Sequence, residues 1–153
     1  MNKYEITPVH EQHLVYLASH IRDGDMAEIA VSSGLTAYDA LEKSVRMSVQ
    51  SGTALANGEP MAIFGITVPT IMSSVAYPWI LTSTVVDSHK KAFLRMSREW
   101  VEQKSGEYSL LTQVIDSRYI SACRWAEWLG FECINTITVG NERIPFNIYE
   151  LRS

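Results

Sequence analysis

Histidines, two cysteines and a short basic cluster are the side chains of this sequence whose types and spacing invite chemistry. His10 and His13 stand three residues apart, and His20 follows seven after His13, so two imidazoles share a helical face that could grip a metal. No Cys, Asp or Glu is evidently placed to complete the shell, and no metal is expected. Cys123 and Cys133 match neither a redox pair nor a zinc knuckle; they read as small buried hydrophobes in a reducing compartment. Serines are plentiful, but none lies in a G-x-S-x-G elbow, which argues against a hydrolase. His89, Lys90 and Lys91 follow Asp87-Ser88 where a helix should start. A helix N-terminus carrying those side chains is a modest anion site; the plainer reading is an exposed first turn of polar residues.

The elements that must position these groups follow from periodicity. Tyr4 to Thr7 reads as a strand ended by Pro8. Leu14, Leu17, Ala18 and Ile21 give one apolar stripe to a helix over His10 to Arg22, which Asp23-Gly24-Asp25 breaks. A short helix follows to about Ser33, and Thr36-x-x-Asp39 starts a third, with Tyr38, Leu41, Val45 and Val49 as its buried face. Asn57-Gly58 joins two strand-like runs in the strongest short hairpin signal available. Pro78 to Val86 is apolar and β-branched, as expected of a central strand buried on both faces. A helix from about His89 to Lys104 turns Phe93, Met96, Trp100 and Val101 inward, and Gly106 stops it. The strand Tyr108 to Ile115 leads to a helix whose polar residues between Tyr119 and Leu129 are Ser121, Arg124 and Glu127. Those three recur every third position, which predicts a helix buried on most of its circumference. Strands at Phe131 to Val139 and Ile144 to Leu151 close the chain as a hairpin.

At 153 residues, 46% hydrophobic and 20% charged, the chain fits one domain spanning 1–153. Its net charge of −4 supplies no basic surplus for phosphate neutralisation, so nucleic acid is not expected as a partner. No apolar run is long enough to span a bilayer, and the N-terminus lacks the pattern of a signal peptide; a soluble cytoplasmic protein is expected. The fold class expected is α/β (α+β), with a mixed, mostly antiparallel twisted sheet of about seven strands and four to five helices.

The segment from Tyr108 to Phe131 resembles the GNAT acyltransferase motif N-x-x-A-x-x-x-Y-x-K-x-G-F. Anchored on Gly130-Phe131, the family's Ala falls on Ala122, its Asn on Tyr119 and its Tyr on Ala126. The opening from Tyr4 to Ile29 also looks like a GNAT opening. From about Asp25 onward the chain resembles internal virion proteins of short-tailed phages, in Asn57-Gly58-Glu59-Pro60, Ala62-Ile63-Phe64-Gly65, Pro78-Trp79, Phe93 to Trp100 and Trp128-Leu129-Gly130-Phe131.

The resemblance implies a GNAT-like domain whose cofactor, if it is active, is acetyl-CoA or another acyl-CoA. Val85, Val86, Ser88, His89, Lys90 and Lys91 are then the cofactor-binding candidates. The chain departs from the family at three places. Asp87 to Lys91 holds no glycine where the family has Q/R-x-x-G-x-G/A. The acid's position is Ala126, leaving Tyr119 as the nearest phenol. The run Tyr77 to Val86 carries no carboxylate, leaving Glu59 on the hairpin as a candidate base. These departures favour a phage virion-associated or assembly protein on an acyltransferase-like scaffold. Its partner would be a phage or host protein, in the host cytoplasm or packaged in the virion. The alternative is an active acyl-CoA-dependent N-acyltransferase with an atypical phosphate loop, modifying a host protein.

Overall fold

Asn57 and Gly58 both take left-handed backbone angles, φ 52 and 81, the geometry a two-residue hairpin needs between right-twisted strands. They join β2 (Gln50–Ala56) to β3 (Glu59–Thr67). β1 (Tyr4–Thr7) pairs with the outer edge of β2, and β4 (Val75–Thr82) with the far edge of β3, all antiparallel. The second half-sheet is β5 (Leu110–Asp116), β7 (Ile144–Arg152) and β6 (Glu132–Val139). One parallel pairing, β4 with β5, joins the halves, giving the order β1-β2-β3-β4-β5-β7-β6. A computed structural model describes residues 1–153, the side chain of Ser32 excepted. The α/β class and the mostly antiparallel seven-stranded sheet are as expected.

Five helices cover the sheet: α1 (Glu11–His20), α2 (Asp23–Ser32), α3 (Ala37–Met47), α4 (Lys90–Glu107) and α5 (Ile120–Trp128). Alternation along the strands sorts them by face. Ile63, Trp79 and Leu81 pack with Leu14 and Leu17 of α1 and Leu41 of α3. Ala62, Phe64 and Ile80 point the other way, onto Phe93 and Met96 of α4. On that same face Cys123 and Ala126 of α5 meet Leu111, Ile115 and Tyr149.

Several boundaries differ from the sequence expectations, each for a local reason. The run Pro78 to Val86 is not one strand: β4 ends at Thr82, and Thr84–Ser88 forms a 3-10 turn. Buried Ser83 makes the break, donating its hydroxyl to the Pro60 carbonyl (2.7 Å) and accepting from the Val85 N–H (3.2 Å). Gly106 does not stop α4, which runs one residue past it. Asp23 opens α2 rather than only breaking α1. Val49 lies beyond the end of α3 and is exposed. Ile120 and Trp128 widen the wet side of α5, because the helix meets the sheet chiefly through Cys123 and Ala126. Cys133 is exposed rather than buried, on edge strand β6, where every residue but Val139 faces solvent.

Gly65 sits where three groups converge. A Cβ there would come within 2.8 Å of the Gln50 carbonyl, the Ser48 hydroxyl and the Trp79 indole nitrogen. That nitrogen donates to Ser48 Oγ at 2.7 Å, tying β4 to the end of α3. Gly65→Ala is expected to lower the urea midpoint, at unchanged m-value, by the equivalent of about 1–3 kcal/mol, because a backbone carbonyl cannot step aside.

Candidate functional site

The site is made where two strands part. β4 and β5 pair only at Val75–Leu110 and Ala76–Leu111, although β4 continues to Thr82 and β5 to Asp116. The Ser74 carbonyl accepts from Ser109 and Leu110 across this junction. The two-residue repeat of a strand then directs the backbone of Pro78 to the same edge, where it has no N–H to offer a continuing ladder. The gap opens into a cavity of about 930 Å³ that runs through the sheet, bordered by α2 and α3 on one face and by α4 and α5 on the other.

Helix α2 bridges the two parted ends. Asp25 and Glu28 lie one helical turn apart and face the gap. Asp25 is 5% exposed, and its Oδ2 accepts from the Thr82 N–H (2.8 Å) and hydroxyl (2.6 Å) at the end of β4. The Arg22 N–H donates to the Thr82 carbonyl at 3.1 Å, pinning the same corner. Glu28 reaches the other strand: its Oε1 accepts from the Asp116 N–H at 2.7 Å.

Burial raises the Asp25 carboxyl, against the pull of its Thr82 hydrogen bonds. Burial likewise pushes Glu28 up to about 7; the Asp116 N–H opposes this, and the charges of Asp25 and Asp116 add to it. Asp116 moves the other way: it is 2% exposed, and its hydrogen bonds to Arg118 (2.7 Å from Nη2 to Oδ2) hold it below the usual carboxylate range. Tyr119, the N-cap of α5, completes the group. Its ring lies against Gly24, where an added Cβ would fall 2.5 Å from it. Burial, then the Asp25 charge, pushes its phenol up to about 12.

The residues singled out in the sequence are scattered around this centre. Val86 and Lys90 line the cavity, Lys90 at the first position of α4. Val85 and Ser88 lie in the 3-10 turn, outside the cavity lining, and the Val85 N–H is taken by Ser83. His89 turns towards β1, where its Nδ1 shares a 2.8 Å hydrogen bond with the Tyr4 hydroxyl; Lys91 is exposed. Tyr119 lines the cavity, whereas Glu59 is exposed on the hairpin and accepts from the Tyr16 hydroxyl at 3.0 Å. Ala126, at the position of the GNAT acid, is fully buried in the core beneath α5. His13 is buried, its Nδ1 accepting from the His10 N–H (3.1 Å) and within 2.9 Å of the Thr53 hydroxyl. Among the described residues, no three His, Cys, Asp or Glu side chains gather to hold a metal.

Sequence reasoning missed Asp25, Glu28 and Gln113. The one signal for the carboxyls was their i, i+3 spacing immediately before Ile29. Gln113 of β5 lines the gap, and its Oε1 is shielded from solvent without a hydrogen-bond partner.

No protein-family model and no curated sequence matches the chain. Solved structures do match. An N-acetyltransferase from Staphylococcus aureus Mu50 superposes over 98% of both chains with a TM-score of 0.70 at 16% identity. An acetyltransferase of the GNAT family from Streptococcus pneumoniae covers 98% of this chain and 99% of its own, with a TM-score of 0.66 at 16% identity. An aminoglycoside acetyltransferase solved in complex with coenzyme A covers 98% of this chain and 95% of its own, with a TM-score of 0.67 at 18% identity. The chain has the GNAT fold.

Glu28 leaves a signature in stability. Its carboxyl ionises near 4.5 when unfolded and near 7 when folded. Its stabilising contribution is therefore complete below pH 4.5, declines as pH rises to 7, and is absent above. Chemical denaturation from pH 4.5 to 7.5 is expected to show Glu28→Gln gaining about 3 kcal/mol on the wild type across that window.

Proposed function

We propose that this chain is an acyl-CoA-dependent N-acyltransferase in which Glu28 takes the proton of an amine acceptor. The carrying observation is a carboxyl of pKa about 7, bonded to the end of β5, in the lining of a cavity that crosses the sheet. A general base works best when it ionises near the operating pH, and perturbed groups in large clefts mark functional sites.

The residues present fit an acyl-CoA, on three observations. Gln113 Oε1 offers an unused acceptor to an amide N–H of a pantetheine arm. The edge of β4 around Pro78 and Ile80 is left unpaired by β5. Lys90 stands at the cavity's edge on the first turn of α4, whose leading N–H groups have no partner within the helix. When bound, the coenzyme supplies an activated thioester carbonyl. The chain's own residues supply the proton traffic. Acylation of an ammonium acceptor would release two protons, of which Glu28 would pass one to solvent. Tyr119, still protonated at neutral pH, would give its proton to the coenzyme's sulfur and recover the acceptor's second one. Asp25 holds α2 against the end of β4, which keeps Glu28 in the gap.

A second reading keeps the scaffold and drops the chemistry: a virion-associated or assembly protein that contacts a phage or host protein. Two observations favour it. Ala126 is sealed in the core, and the glycine-free turn before α4 bonds N–H groups of Val85, Val86 and His89 internally rather than presenting them to a diphosphate. Its phage setting rests on sequence resemblance alone.

Acetyl-CoA separates the two. With a Kd near 10 μM, a hundredfold excess is expected to add about 2.7 kcal/mol, read as a thermal shift that Lys90→Glu diminishes. An unchanged melting temperature at millimolar acetyl-CoA would favour the second reading. In the acyltransferase, kcat/KM should rise with pH through about 7 as Glu28 ionises. Glu28→Gln should lower it by about 10²-fold or more and remove that limb.

A further inference from the structure

We infer that the acceptor is a primary amine carrying one positive charge on an apolar or aromatic body, and not a polycationic amine. This rests on the acyltransferase reading and adds the substrate class. Lys90 and the start of α4 border one side of the cavity, which leaves the side lined by α2 and α3 for the acceptor.

The acceptor side is apolar at its entrance. Leu35, Met47 and Tyr77 line the cavity there and are 36%, 58% and 41% exposed, so apolar surface reaches solvent on this side, beside Ser33, Lys43 and Ser44. Trp79 and Leu81, which belong to the α1–α3 face of β4, continue that wall inward. An amine bound with its nitrogen at Glu28 therefore has its remaining atoms against hydrocarbon and indole. Surfaces of this kind are stabilised by covering them with an apolar body and gain little from a hydrated, charged one.

Charge points the same way. Among the described residues lining the cavity, Asp25 and Glu28 are the only carboxyls, set against the cationic Arg22, Lys43 and Lys90. Two carboxyls against three cations make no acidic wall for a second or third ammonium group. Lys43, on the acceptor side, would repel them.

The test compares 2-phenylethylamine with spermidine, using the full chain and acetyl-CoA, by release of the coenzyme thiol and by calorimetric binding of each amine. The expected result is a kcat/KM at least tenfold higher for 2-phenylethylamine. Met47→Glu, at an exposed position where folding is not at stake, should shrink that ratio about tenfold by placing a carboxylate at the entrance. Equal or preferential turnover of spermidine overturns the inference and leaves the acyltransferase reading standing. Acetyl-CoA binding with neither amine bound or turned over also overturns it. Failure of acetyl-CoA to bind sinks the acyltransferase reading. In that event calorimetry still decides the cavity's preference, and binding of spermidine but not 2-phenylethylamine counts against the inference.

Discussion

Two parallel strands that pair over two residues and then diverge set every other feature of this protein. A parallel ladder that continued would satisfy its own backbone and leave no room between β4 and β5. With Pro78 on the facing edge it cannot continue, and the strand ends are left with polar backbone groups that need other partners. Helix α2 provides them from side chains: Asp25 to Thr82 on one strand, Glu28 to Asp116 on the other. The opening is thus braced by acids and not merely left empty. That is why Asp25 and Glu28 are part of the cavity's lining.

Bracing a gap with carboxyls brings three of them close together, and their surroundings drive them apart in behaviour. Asp116 has Arg118 beside it and stays ionised. Asp25 is buried, with Thr82 hydrogen bonds opposing the cost of its charge, and is raised. Glu28 is part-buried, feels both neighbours' charges, and arrives near neutrality. Environments that push neighbouring groups to different pKa values mark the groups that exchange protons. Here burial raises Asp25 and Glu28, while hydrogen bonds from the Arg118 guanidinium lower Asp116.

The framework was largely legible from local pattern. Asn57-Gly58 announced the hairpin, Thr36 capped α3 as its spacing required, and Gly130-Phe131 ended α5 and led into β6. What sequence periodicity could not show was where β4 stops. Val85 and Val86 look like strand residues, and only the buried Ser83 hydroxyl, reaching a carbonyl in β3, breaks the run. The α5 stripe was misjudged because apolar type was equated with burial, whereas the helix touches the sheet along a narrow seam. The site was the least legible part. The carboxyls sit on a helix with weak amphipathic character, and their significance comes from two strand ends more than fifty residues away in sequence. Tyr119 was visible as a phenol at a motif position; its contact with Gly24 was not.

Edge strand β6 has β7 as its only neighbour, and the register between them shifts at Cys133 and Asn135. That irregularity puts the strand's outward donors and acceptors out of step along its length. An identical strand laid alongside would find matching partners over only part of its run. With Ile134 and Ile137 exposed on the same strand, the shift makes a greasy, half-satisfied border a poorer template for a second chain.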